Sequence, residues 1–209
     1  MPKQVDHAGR RQQIAEAVCQ LVDECGLEGV TLRDVAARAE VSMGAVQRCF
    51  RTKEEMVQCA LVYVGDRVTE RVRHRLKAGP AQSAASELGL VAGEVALLRE
   101  EHRAEARIWL AFLAGAAVNP GLAETLRSSY ASLEELMVRL IMEAAGGSVV
   151  GGSALGGVFT DGAASARTEA HALLALADGL TAHVLIGHRT VAEAEDVLHA
   201  HLAGLWARC

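Results

Sequence analysis

The sequence predicts an all-α fold of about nine helices arranged in two domains. Three observations carry this. The 209-residue chain is 51% hydrophobic but only 3% aromatic, and its long Ala/Leu/Glu/Arg stretches favour helix over sheet. Apolar residues recur at the 3.6-residue spacing of one helix face. Ser or Thr repeatedly stands just before such a stripe with an acidic residue three places on, the mark of a capped helix start.

The first helix buries Ile14, Val18, Leu21, Val22 and Cys25, with Gly26 as its stop. Thr31 and Asp34 open a second, short helix over Leu32, Val35, Ala36 and Ala39. After a turn of about three residues Ser42 opens a third, Met43–Phe50, of roughly two turns. Thr52 and Glu55 start a long fourth helix that buries Met56, Val57, Leu61, Val64, Val68 and Val72. Two short helices joined this tightly are a helix-turn-helix unit. Beyond Gly79-Pro80, helices are expected over 81–98, 101–118 and 122–145, with Asn119-Pro120-Gly121 as a turn. Residues 146–162 hold seven glycines in seventeen and read as a flexible loop. Two closing helices follow, 164–187 and 191–207, the second capped by Thr190 and Glu193. The domain boundaries expected are 8–68 and 69–209.

The net charge of −5 is divided unevenly: residues 1–77 carry +2 and residues 78–209 carry −7. A mildly cationic N-terminal part on an acidic body suits a nucleic-acid reader. The longest uncharged runs, Ile108–Ala123 and Ala144–Thr160, are 16 and 17 residues, short of the roughly 18–20 that a membrane span needs. The N-terminus lacks an apolar signal region, so a soluble cytoplasmic protein with no membrane partner is expected. Cys19, Cys25, Cys49, Cys59 and Cys209 form no CxxC pair and read as reduced. The eight histidines are scattered, and the near pairs His199/His201 and His183/His188 diverge on a helix, so neither a metal nor a cofactor is expected.

The stretch Thr31–Met56, TLRDVAARAEVSMGAVQRCFRTKEEM, resembles the helix-turn-helix signature of the TetR family of transcriptional regulators. It keeps Thr31, Val35, Ala36, Ala39, Val41, Ser42, Gly44, Val46, Phe50, Thr52 and Lys53 of that pattern. It departs at Gln47, where the family usually has Tyr, at Cys49, where Tyr or His is usual, and at Met56 for Leu. The resemblance covers about 50–60 residues. The patterns Ala177–Leu180 and Ala194–Leu205 resemble the BetI-type subgroup. The family resemblance implies a homodimer that binds a double-stranded DNA operator and responds to a small-molecule effector, with no enzyme activity.

Residue roles follow from that expectation and from groove chemistry. A helix entering a major groove about 12 Å wide needs small or polar side chains on its first turns. Ser42, Met43, Gly44, Ala45, Gln47 and Arg48 fit. Gln47 suits adenine, and Arg48 guanine or a phosphate. Thr31 and Arg33, then Arg51, Thr52 and Lys53, stand at helix starts where phosphate is held by amides and cations. The Lys53 contact is implied by the resemblance.

Family logic also places an effector cavity among the later helices, with Tyr63, Trp109, Phe112, Tyr130, Met137 and Asp178 as candidate lining. With seven aromatics in the chain, a neutral or weakly polar lipophilic effector is favoured over a caged cation. A dimer bundle is expected to bury Leu173, Leu176, Leu180, Val184, Leu198, Leu202 and Leu205 of the closing helices. No GxSxG, P-loop or HExxH motif points to catalysis. Two alternatives remain: a thiol-responsive regulator using Cys49 or Cys59, and a helical ligand-binding protein that has lost DNA reading.

Overall fold

The computed structural model describes residues 7–78, 83–146 and 158–208. Among them are nine α-helices, one 3-10 turn and no strand: α1 (His7–Gly29), α2 (Leu32–Arg38), α3 (Met43–Cys49), α4 (Lys53–Ala78), α5 (Ala84–Val95), α6 (Arg103–Ala116), α7 (Pro120–Ala144), α8 (Val158–Leu185) and α9 (Val191–Arg208). The expected all-α fold is therefore observed. Most of the 146–162 segment lies outside the described residues. Its last part, however, is helical, because α8 already begins at Val158.

The caps show why the helices start where they do. Thr31 Oγ1 accepts from Asp34 N–H, Ser42 from Ala45 N–H, and Ser83 from Ser86 N–H. At α9 the box is reciprocal: Glu193 N–H donates to Thr190 Oγ1 at 3.2 Å, and Thr190 N–H donates to Glu193 Oε2 at 2.8 Å. Gly26 leaves helical geometry, with φ 73° and ψ 172°, so α1 is kinked there and only a short piece runs on to Gly29. α5 starts later than expected, at Ala84 behind its Ser83 cap.

The chain groups into two compact units. The first is residues 1–67 with 104–129. Ile14, Val18, Val35, Val46, Phe50, Met56 and Leu61 are buried there, as are Trp109 and Phe112 from α6. α6 packs closely on α1 at Gly115, where a side-chain carbon would lie 2.5 Å from Leu27 Cδ2. Arg107 of α6 clasps Asp23 of α1 at 2.5 and 2.9 Å. Residues 104–129 thus group with the N-terminal helices rather than with the rest of the later chain.

The second unit is residues 68–103 with 130–209. Its core joins Val72, Leu88, Val91, Met137, Leu140, Leu173, Ala177, Leu180, Leu198, Leu202 and Leu205. Buried Thr181 places its hydroxyl 2.6 Å from the Ala96 carbonyl and 2.8 Å from that of Ala177, so its polar atom is satisfied. Glu94, 1% exposed, is held by Arg71 at 3.2 Å, Arg75 at 3.0 Å and Arg99 at 3.6 Å. Two of these arginines lie on the last turns of α4.

Candidate nucleic-acid interface

α3 has only seven residues, and a helix so short is held by its surroundings rather than by propensity. Its inner face is Ala45, Val46 and Cys49, all buried. Its outer face is Met43, 45% exposed, with exposed Gln47 and Arg48. The Arg48 guanidinium reaches back over Gly44, 3.5 Å from where a side-chain carbon would begin. Ser42 caps the helix and is itself exposed. Ala45 is the correction to the sequence expectation: at 4% exposure its methyl group belongs to the core, so it offers a groove nothing.

Two more helix starts lie in the same unit. Thr31 and Arg33 are exposed at the start of α2. Arg51 and Thr52 are exposed just before α4, whose first residue, Lys53, is half-buried. Thr52 Oγ1 accepts from Glu55 N–H at 3.1 Å, but the return bond goes one residue earlier, from Arg51 N–H to Glu55 Oε2 at 2.9 Å. That backbone donor, together with Arg11, holds the Glu55 carboxyl below its ordinary pKa.

α1 is the frame on which the reading helices hang. Gln13 donates to the Ala39 carbonyl at 2.8 Å, and Arg38 grips Glu24 through two bonds of 2.9 and 2.6 Å. Arg11 donates to the Cys49 carbonyl and to Glu55 Oε1. Sequence reasoning missed these supports because each joins residues far apart in the chain.

The candidate effector residues are divided between the two units. Tyr63, Trp109 and Phe112 belong to the first unit, and Trp109 and Phe112 are buried in it at 8% and 0% exposure. Tyr130, Met137 and Asp178 belong to the second, where the Tyr130 hydroxyl donates to Asp178 Oδ2. A polar cleft of about 230 Å3 lined by Gln13, Glu16, Gln20 and Arg38 contains none of the six.

The expected dimer leucines need a similar correction. Leu173, Leu180, Leu198, Leu202 and Leu205 are buried in the chain's own core, where α8 and α9 pack on α5 and α7. Leu176 and Val184 stay half-exposed.

Three of the thiols, Cys19, Cys49 and Cys59, are poorly placed for redox sensing, since the thiolate is the reactive form, whereas Cys25 is exposed. Cys49 is buried, burial pushes Cys59 upward, and burial pushes Cys19 up to about 12. No described helix is long and apolar enough to cross a membrane.

A short, capped helix with one polar exposed face, flanked by two further helix starts carrying cations, defines a helix-turn-helix DNA-binding protein. Comparison with known proteins gives the family. Residues 14–59 match the family model described as bacterial regulatory proteins, tetR family, and residues 84–207 match the BetI-type transcriptional repressor C-terminal domain. The chain therefore belongs to the TetR family of transcriptional regulators.

Among its relatives, the regulator PksA of Bacillus subtilis is 42% identical over 73 residues, 35% of this chain and 36% of that protein. The regulator BetI of Escherichia coli is 29% identical over 143 residues, 68% of this chain and 72% of that one. The crystal structure of a transcriptional regulator from Rhodococcus sp. Rha1 is 27% identical with a TM-score of 0.75, covering 93% of this chain and 95% of that one. Regulators of this family bind DNA operators as dimers, and the relatives are regulators rather than enzymes.

Proposed function

We propose that the protein is a cytoplasmic repressor that binds a palindromic operator as a homodimer and leaves it when a small molecule binds. The observation that carries this is the division of α3 into a buried face of Ala45, Val46 and Cys49 and an exposed face of Met43, Gln47 and Arg48. Gln47 and Arg48 read base edges, while Thr31, Arg33, Ser42, Arg51, Thr52 and Lys53 hold phosphates. A two-fold pair of such helices matches successive major grooves about 34–36 Å apart. Leu176 and Val184, which pack on the core's edge but stay half-exposed on α8, and exposed Ile186 just beyond it are apolar positions open to the second copy.

Release works through α4, one continuous helix from Lys53 to Ala78. Its last turns are tied to Glu94 of α5 through Arg71 and Arg75, so a ligand that shifts α5 pulls on the helix that starts at Lys53. The effector acts only by binding the DNA-free arrangement more tightly, through a coupling of about 1–3 kcal/mol. The apolar surroundings of Tyr130 and Met137 favour a lipophilic, weakly polar molecule, with the Tyr130–Asp178 pair as its polar handle.

Selection from a randomised duplex pool by the purified protein tests the DNA-reading function. The expected product is an inverted repeat, and recovery of no common sequence refutes it.

A further inference from the structure

We propose that Arg11, on α1, is a positioning residue that sets the aim of α3. The inference rests on α3 being the DNA-reading helix. α3 ends at Cys49, and its last carbonyls have no partner within the helix. Phe50 then turns extended, with φ −139° and ψ 127°, and after Arg51 and Thr52 α4 begins. Buried Phe50 seats this connection in the core, and the polar ends of α3 and α4 are joined from outside it.

Arg11, from α1, supplies that polar tie. Its Nη1 donates to the Cys49 carbonyl, a cation placed at the negative end of α3. The same nitrogen donates to Glu55 Oε1 at 3.2 Å, in the first turn of α4. Its guanidinium carbon stands 4.2 Å above the Phe50 ring. The other Glu55 oxygen accepts the Arg51 N–H at 2.9 Å. The end of α3, the connection and the start of α4 therefore meet at one guanidinium. Its side chain is 38% exposed, and its Nη1 already serves two protein acceptors. Base readers tolerate misplacement of only about 0.5 Å, so loss of this node blurs Gln47 and Arg48 relative to Lys53.

The test compares full-length Arg11→Ala and Arg11→Lys on two probes: the duplex that wild-type protein selects from a randomised pool, and an unselected duplex of equal length. Circular dichroism is recorded on each sample. Arg11→Ala should keep its helicity, lose about tenfold on the selected duplex, the size of one charge-assisted hydrogen bond, and lose under about twofold on the unselected one. Arg11→Lys, which keeps a donor and the charge, should recover most of the preference. Equal loss on both duplexes would make Arg11 a plain phosphate contact and overturn the inference, as would no loss at all. If Arg11→Ala loses helicity, Glu55→Gln decides instead, since its one oxygen still accepts the Arg51 N–H while the charge and the acceptor that hold Arg11 are lost. Weakening by about threefold on the selected duplex alone supports positioning, being a fraction of an ion pair, and unchanged selectivity overturns it. A wild-type protein that selects no duplex fails at the function itself and takes the inference with it.

Discussion

Replacing Glu94 by Ala should destabilise the second unit by about 3 kcal/mol, the low end of the range for removing one partner of a buried ion pair. Glu94 is 1% exposed, and its two oxygens serve three guanidiniums at 3.0, 3.2 and 3.6 Å. Truncation leaves those cations facing one another across the space the carboxylate filled. The low end applies because Arg71, Arg75 and Arg99 are 24%, 36% and 42% exposed in their side chains and can recover water. For a chain of this size, that corresponds to roughly 6–12 °C in melting temperature. Trp206 packs on the core of the same unit and Trp109 lies in the other, so a Trp109→Phe background makes tryptophan fluorescence report on the right unit. Glu94→Gln keeps the volume and an acceptor and should lose about half as much, since hydrogen bonds to charged groups are worth roughly twice neutral ones. An unmoved urea midpoint in Glu94→Ala would refute the view that this carboxylate anchors α4.

Lys53→Ala should weaken binding about equally on selected and unselected DNA and lower the salt slope by about one, while Arg48→Ala should cost about 1–3 kcal/mol on the selected duplex and relax one base pair per half-site. A specific loss from Lys53, or a uniform loss from Arg48, would exchange their roles. Leu180→Glu should unfold the second unit, because Leu180 is 3% exposed inside the chain's own core and an unpaired charge there costs several kcal/mol. Leu176→Glu with Val184→Glu should instead leave helicity intact and give a monomer by light scattering; a folded dimer would put the interface elsewhere.

Helix starts were the most legible part of the sequence, because capping is local. Thr31, Ser42, Thr52 and Thr190 each accept the hydrogen bond expected of them. The faces of α3 were less so. Ala45 is small enough for a groove and small enough for a core, and only packing against the neighbouring helices decides between them. The stripe through Leu173, Leu180, Leu198, Leu202 and Leu205 announced burial without naming what would do the burying. A periodic pattern cannot tell a core in the same chain from a second copy. Arg11 was invisible for a different reason: its partners lie 38 and 44 residues away, and no local spacing encodes them. The glycine-rich composition of 146–162 also hid the first turn of α8, since a composition that favours a loop says nothing of where the next helix begins.

The central claim is that this chain reads DNA sequence through α3, and one competition titration tests it most directly. Wild-type protein is bound to its selected duplex at fixed physiological salt and displaced with that duplex or with an unselected one. The account predicts a preference of about a thousandfold or more for the selected duplex, as specific binders show over non-specific DNA. Displacement by the two duplexes at equal concentrations would mean that only phosphates are felt, and it would contradict the account.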